Sequence, residues 1–176
     1  MKIKRAVSLS GVVFLAGVVV AGIPVAWADD CTLASDAAIA QAKVPHAVTR
    51  VTSVPGKPAI QVEMIFVGDK AYTQTNGTWR SMPDSAQDQI ETISAASKRA
   101  EQTPHTCQKV GGGPINGEAT ALIVMHSETN GKASDARIWI SDKTGLPLKS
   151  EIRLSSGTVI TDDFRYTNIE APPGAK

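Results

Sequence analysis

Aromatic residues are scarce in this chain, where Phe, Trp and Tyr together make up 5% of the sequence. Proteins that bind carbohydrates or single-stranded DNA on an aromatic surface normally use more of them. The chain also lacks an excess of charge of one sign, because its formal net charge is only +1. Three of its basic residues lie within the first five positions. The rest of the chain is therefore slightly acidic, which argues against nucleic acid as a partner.

Sequence motifs for catalysis or metal binding are also lacking. The three histidines, His46, His105 and His126, share no metal-ligand spacing, and there is no Gly-x-Ser-x-Gly motif. The sequence therefore gives no support for a zinc site or for nucleophilic catalysis, and we predict a protein without metal, cofactor or enzymatic activity.

Two further sequence features resemble functional motifs but lack their context. The glycine run at 111–113 is followed by proline, not by Lys and Ser or Thr at the start of a helix, so we interpret it as a flexible hairpin loop. Asp162 and Asp163 are adjacent, and on a strand they would point to opposite faces, so they cannot form one acid–base pair. We expect both at a solvated edge or turn.

The N-terminus has the pattern of an export signal. Basic residues at positions 2, 4 and 5 precede an apolar run from Ala6 to Val20, and Ala26-Trp27-Ala28 supplies small residues at the two positions that a signal peptidase reads. The run is short for a membrane span, so a retained anchor is the less favoured alternative. We predict a signal peptide at residues 1–28, cleavage after Ala28, and one periplasmic domain at residues 29–176 that is soluble after cleavage.

The only cysteines are Cys31 and Cys107, and they do not form a Cys-x-x-Cys motif. In an exported chain, a lone pair of cysteines is most simply one disulfide. A metal site or a redox pair is the alternative, but neither has a supporting spacing. The predicted bridge would close a loop of about 75 residues and, in the chain-entropy model, stabilise the fold by up to about 4.5 kcal/mol.

Hydrophobic periodicity predicts a helix, a group of strands, a second helix and a second group of strands. The first helix covers Thr32–Val44, and the second begins after Asp84, a suitable N-cap residue, and runs to about Gln102. The predicted strands are Ala47–Ser53, Ala59–Val67, Lys70–Gln74, Thr78–Arg80, Cys107–Val110, Glu118–Ser127, Ala136–Ser141, Leu148–Ser156 and Thr158–Tyr166. This order favours an α+β domain, in which one strongly curved antiparallel sheet carries two helices on its concave face.

The segment from Ser134 to Pro173 is similar to the closing strands of a known family. It reads Trp-Ile-x-x-x-x-Gly-Leu-Pro-Leu-Lys-x-Glu, then a glycine turn, then Phe-x-Tyr-x-Asn-Ile. This ordering resembles the periplasmic lipoprotein-carrier superfamily (LolA/LolB-like). The resemblance covers roughly a quarter of the chain and implies an open half-barrel with helices over its mouth and acyl chains inside.

The predicted sheet has a large aliphatic surface, and two thin helices provide little mass to fill a deep concave face. An unfilled apolar concavity is a ligand site by default, although the same side chains could simply fill it as a packed core. We predict that one continuous apolar cavity beneath the second helix binds the ligand. Its predicted lining is Met64, Phe66, Leu122, Val124, Ile152 and Leu154.

These features predict an exported carrier or binder of lipid or of acylated protein. The alternative is a periplasmic protein-interaction or regulatory module on the same fold that binds a protein partner and no lipid. It would use an exposed sheet edge or the second helix.

Overall fold

The computed structural model describes residues 27–83, 86–100 and 105–175. It contains two helices, α1 (Trp27–Ala42) and α2 (Ala86–Ala100). The strands are β1 (His46–Ser53), β2 (Ile60–Val67), β3 (Lys70–Thr75), β4 (Thr78–Met82), β5 (His105–Gly111), β6 (Thr120–Thr129), β7 (Lys132–Ser141), β8 (Pro147–Leu154) and β9 (Val159–Arg165). Most of the predicted signal peptide and the predicted N-cap Asp84 lie outside the described residues.

The nine strands form one antiparallel sheet in the order β4-β3-β2-β1-β9-β8-β7-β6-β5. Pairing of β1 with β9 joins the strands before α2 to the strands after it, which are otherwise far apart in sequence. The outermost strands, β4 and β5, flank α2 in sequence and do not pair with each other, so the sheet is not closed. The structure therefore confirms the predicted α+β class and the curved, open half-barrel.

Two of the hairpins are set by Asn-Gly turns. Asn76 and Gly77 join β3 to β4 with φ values of 51° and 77°, and Asn130 and Gly131 join β6 to β7 with φ values of 52° and 70°. Two-residue hairpin turns of this kind require positive φ at both positions, which asparagine and glycine tolerate. The Asn-Gly pairs therefore fix where both hairpins turn.

Helix α1 packs against one end of the sheet. The alanines of its inner face, Ala34 and Ala37, form a buried cluster with Cys107, Ile123 and Ile140, and none of these five is more than 6% exposed. Small side chains on the helix allow its backbone to lie close to the strands. We call the sheet surface that faces α1 the helix side and the opposite surface the outer side.

A disulfide joins α1 to the edge strand β5. Cys31 and Cys107 are bonded, with Cα atoms 5.3 Å apart, which confirms the predicted pairing. Next to this bridge, the backbone N–H of Lys109 donates a hydrogen bond of 2.8 Å to the carboxylate of Asp30. Both contacts attach the N-terminal part of α1 to β5, and the second satisfies one backbone donor of an edge strand.

Gly112, which follows β5, lies against the backbone of β6. A Cβ at this position would be 2.4 Å from both the carbonyl oxygen and the Oγ1 of Thr120, whereas a Cβ at Gly111 would have nothing within 4 Å. Thr120 cannot easily move, because it is buried and its hydroxyl donates to the Gly113 carbonyl.

We expect Gly112→Ala to lower the free energy of unfolding by about 1–3 kcal/mol through overpacking. Urea denaturation measures this change, and Gly111→Ala is the matched control because it adds the same methyl group in open space. Equal stability of the two variants would show that Thr120 does not restrict this position.

Candidate ligand-binding face

The helix side of the sheet continues beyond α1 as an apolar surface on β2, β1, β9 and β8. On β2 it carries Val62, Met64 and Phe66, and the cross-strand register aligns Met64 with Val48 of β1 and Val48 with Phe164 of β9. Apart from Val48, these side chains are only half-buried. We call this region the open face.

The exposed end of the open face contains the two large apolar residues that are most accessible to solvent among those the structure describes. Ile60 of β2 is 62% exposed and Leu154 of β8 is 38% exposed, whereas the core residues beneath α1 are at most 6% exposed. Between them in the sheet, Ile152 of β8 lies directly opposite Ile160 of β9, and both are half-buried. Large apolar surface that remains accessible marks a site of interaction more often than it marks a core.

The structure divides the six residues that the sequence predicted as one cavity lining. Met64, Phe66, Ile152 and Leu154 lie on the helix side, within the open face. Leu122 and Val124 lie on the outer side, because their neighbour Ile123 occupies the core beneath α1 and side chains alternate along a strand. The six therefore cannot line one continuous cavity. Ligand contact by any of them stays a prediction.

Sequence alone could not orient β6 because its residues 121–125 are all apolar. A run of this kind lacks the period of two that identifies the buried face of a strand. In the structure β6 lies next to the edge strand β5, and α1 covers its helix side. On β2, by contrast, Gln61 and Glu63 alternate with apolar residues, and Val62, Met64 and Phe66 share the helix side.

An ion pair crosses the middle of the open face. Arg50 of β1 lies directly opposite Asp162 of β9, and its Nε and Nη2 atoms donate to the two carboxylate oxygens at 2.7 and 2.8 Å. The hydroxyl of Ser150 donates to the same carboxylate at 3.4 Å. The hydrogen bond to Asp162 raises the pKa of Arg50, so the guanidinium stays charged.

The burial of this pair is unequal. Asp162 is 5% exposed, whereas the side chain of Arg50 is 45% exposed. The expectation that Asp162 lies at a solvated edge or turn is therefore wrong, because the guanidinium on the neighbouring strand neutralises its charge within the sheet. Asp163 points to the outer side and is exposed, so the two carboxylates face opposite sides as predicted.

His46 lies at the other end of the open face and is 1% exposed. Its Nδ1 donates to the carbonyl oxygen of Val44 at 2.9 Å, and its ring stacks on Phe66 with 4.6 Å between centroids. Within the described part of the chain, its Nε2 is buried without a hydrogen-bond partner. Burial lowers the pKa of His46, while the hydrogen bond to Val44 acts in the opposite direction.

We expect stability to fall in acid because of this buried histidine. The unfolded chain takes up a proton near pH 6.5, whereas the folded protein resists protonation of His46, so the stabilisation is complete above about pH 6.5 and is lost as the pH falls below it. His46→Phe should make the dependence of the unfolding free energy on pH shallower by up to about 1.4 kcal/mol per pH unit. Urea denaturation between pH 7.5 and 4.5 measures this slope for the unmodified protein and for the variant. Identical slopes would show that His46 does not cause the loss of stability in acid.

Residues 27–83, 86–100 and 105–175 contain neither a metal-binding cluster nor a membrane-spanning helix. No group of three or more His, Cys, Asp or Glu side chains is placed to hold a metal ion there. In the same part of the chain, neither helix has the length and apolarity needed to cross a membrane.

Several solved structures are similar to this chain. LprF from Mycobacterium bovis has 12% identity and a TM-score of 0.47, and the match covers 84% of this chain and 98% of LprF. The lipoprotein LppX from Mycobacterium tuberculosis has 14% identity and a TM-score of 0.47, with 82% and 100% covered. A chain of the Pseudomonas aeruginosa MucA/MucB complex has 15% identity and a TM-score of 0.45, with 82% of this chain and 59% of that chain covered.

A LolA superfamily protein from Nitrosomonas europaea is also similar, with 11% identity, a TM-score of 0.30, and coverage of 82% of this chain and 94% of that chain. No protein-family model and no curated protein sequence matches the chain. None of these likenesses bears on the ligand or partner of the present protein. The observed architecture, an antiparallel sheet that is not closed together with the two described helices, agrees with the open half-barrel that the resemblance of the C-terminal strands implied.

Proposed function

We propose that this protein is an exported, non-enzymatic carrier or binder of an apolar ligand, either a lipid or the acyl chain of an acylated protein. The observation that supports this function best is the open face. Apart from Val48, its apolar side chains remain half-buried or exposed, although they lie on the same side of the sheet as a core that is almost fully buried. An acyl chain on this surface would remove apolar area from water, which stabilises a complex by about 25 cal/mol per Å².

Export is part of the same proposal. We propose that residues 1–28 are a signal peptide, that residues 29–176 form one periplasmic domain, and that the mature protein is soluble. The disulfide between Cys31 and Cys107 is compatible with an oxidising compartment. N-terminal sequencing of the exported protein tests the cleavage site, because cleavage after Ala28 gives Asp29 as the first residue.

A protein-interaction module is the second candidate, and one observation favours it. On the outer side, Leu122 lies directly opposite Trp139, and Val124 is two residues further along β6. These three apolar side chains are half-buried and lie on β6 and β7, the two strands next to the edge strand β5. Apolar surface beside a sheet edge suits a partner segment that adds to the sheet.

Native mass spectrometry of protein purified from the periplasm separates the two functions. Co-purified fatty acid or phospholipid supports the carrier. A stoichiometric protein partner without lipid supports the interaction module and contradicts the carrier.

A pair of charge substitutions on opposite sides of the sheet tests where the apolar ligand binds. Ile152→Glu places a carboxylate on the open face, so we expect it to weaken binding of a fluorescent long-chain fatty acid by tenfold or more, because an acyl chain cannot solvate that charge. Val124→Glu introduces the same charge at a half-buried position on the outer side and should leave binding within about twofold of the unmodified protein.

Fluorescence titration measures both affinities, and circular dichroism confirms that each variant is folded. Loss of binding in Val124→Glu with retention in Ile152→Glu would place the ligand on the outer side and contradict the proposed face.

A further inference from the structure

Two turns at one end of the sheet adjoin the most exposed large apolar side chains among the described residues. The β1–β2 turn covers residues 54–59 and leads into Ile60, and the β8–β9 turn covers residues 155–158 and follows Leu154. These two side chains are 62% and 38% exposed. We call the two turns together with Ile60 and Leu154 the apolar tip.

The two turns lie side by side. A Cβ at Gly157 would be 3.0 Å from the Cγ atom of Pro55, so the β8–β9 turn lies against the β1–β2 turn. Ile60 and Leu154 lie on β2 and β8, which are three strand spacings apart in the sheet, or about 14 Å. The apolar tip therefore presents two separate aliphatic side chains with the two turns between them.

Few backbone N–H groups of the apolar tip need water as a partner. Pro55 and Pro58 have no N–H, and the N–H of Lys57 donates to the carbonyl of Val54 at 3.0 Å. In the β8–β9 turn, the N–H of Gly157 is also hydrogen-bonded, at 2.9 Å. Because these donors are missing or already paired, moving the backbone of the turns out of water costs less free energy.

The charge of the apolar tip has one sign. Lys57 is the only ionisable residue in the segments 54–60 and 154–158, and it is exposed. The neighbouring β6–β7 hairpin carries the exposed residues Glu128 and Lys132, whose charges cancel. A surface that combines exposed aliphatic side chains with net positive charge is complementary to a bilayer with anionic headgroups.

A stable protein interface would need more than this surface offers. The two turns contain six and four residues, whereas each side of a standard protein–protein interface uses about 20–30. Trp, Tyr and Arg, which contribute most of the binding energy at such interfaces, are absent from both turns. A small apolar surface at the end of a sheet suits shallow insertion into lipid instead.

We propose that the apolar tip docks on the surface of an anionic lipid bilayer, with Ile60 and Leu154 in the acyl layer and Lys57 at the headgroups. This inference goes beyond the proposed function, because it concerns the bilayer that the protein meets and not the ligand that it holds. Ile152, two residues before Leu154, and Ile160 opposite it continue the helix side away from the tip. Docking therefore places the open face next to the membrane.

Flotation with lipid vesicles tests the docking. We would measure binding of the disulfide-bonded exported protein, at low salt, to vesicles of phosphatidylcholine alone and to vesicles that also contain phosphatidylglycerol. Ile60→Gln/Leu154→Gln should weaken binding to the mixed vesicles by about tenfold or more, because both inserted side chains are lost. Lys57→Gln should weaken binding to the mixed vesicles about fivefold and leave binding to phosphatidylcholine unchanged.

Each variant has a matched control elsewhere in the sheet. Leu122→Gln/Val124→Gln makes the same kind of change on the outer side, and Lys143→Gln removes an exposed lysine from the β7–β8 turn at the opposite end. Both controls should bind the mixed vesicles within about twofold of the unmodified protein. Circular dichroism confirms that every variant is folded.

Two results would contradict the docking. The first is equal binding of the mixed vesicles by the unmodified protein and by Ile60→Gln/Leu154→Gln, or no binding by the unmodified protein. The second is a dimer in analytical ultracentrifugation that Ile60→Gln/Leu154→Gln dissociates, because the apolar tip would then bind a second copy of the chain. Fatty-acid titration without vesicles measures the proposed function separately, so retained fatty-acid binding without vesicle binding would contradict this inference alone.

Discussion

Replacing both Cys31 and Cys107 with serine should lower the free energy of unfolding by about 3–4.5 kcal/mol. The bridge joins residues 76 positions apart, and a cross-link over that length removes much of the conformational freedom of the unfolded chain. The closed loop includes α1, the strands β1–β4 and α2, so the cross-link restricts nearly the whole first half of the fold. Cys107 is also buried, and a serine hydroxyl at that position would need a hydrogen-bond partner.

Urea denaturation with and without a thiol reductant measures this contribution. The reductant should lower the stability of the unmodified protein close to that of the double serine variant and leave the variant unaffected. A double alanine variant separates the loss of the cross-link from the cost of a buried hydroxyl. Stability of the alanine variant within about 1 kcal/mol of the unmodified protein would show that the bridge contributes little to the fold.

Replacing Arg50 with methionine should lower the free energy of unfolding by about 2–3 kcal/mol. The change leaves the buried carboxylate of Asp162 with only the hydroxyl of Ser150 as a described partner, at 3.4 Å. Breaking a fully buried ion pair costs about 3–5 kcal/mol. The expected value is smaller because the side chain of Arg50 is nearly half exposed, so water already reaches this pair.

Replacing the other partner of the ion pair, Asp162, should lower the free energy of unfolding by less. Asp162→Asn leaves the charge on Arg50, which water can solvate, so we expect a loss of about 1 kcal/mol. In the double variant Arg50→Met/Asp162→Asn no charge is left buried, and it should be more stable than Arg50→Met alone. Denaturation of the three variants forms a double-mutant cycle, and a larger loss for Asp162→Asn than for Arg50→Met would contradict the unequal burial of the pair.

Features that depend on neighbouring residues could be predicted from the sequence. The alternation of Gln61 and Glu63 with apolar residues identifies β2 and orients it, and Asn76-Gly77 identifies the hairpin that follows β3. Both signals act within a few residues, because side-chain direction along a strand and positive φ in a tight turn are local properties. The disulfide was predictable for a different reason, since two cysteines allow only one intramolecular pair.

The candidate site was predictable only in part. Four of the six expected residues share the open face, but Leu122 and Val124 face the outer side, because the uniformly apolar β6 contains no signal for its orientation.

The sequence by itself determined the set of elements, most of their turns and the cysteine pair, because each depends on residue type and near neighbours. Only the tertiary structure decided which strands pair and which side of each strand meets α1. Pairing of β1 with β9 places Arg50 opposite Asp162, although the two are 112 residues apart. The same pairing allows the carboxylate of Asp162 to be buried, although a solvated edge or turn was expected for it. The physical reason is that the free energy of a buried charge depends on its partner across the sheet, and no local pattern specifies that partner.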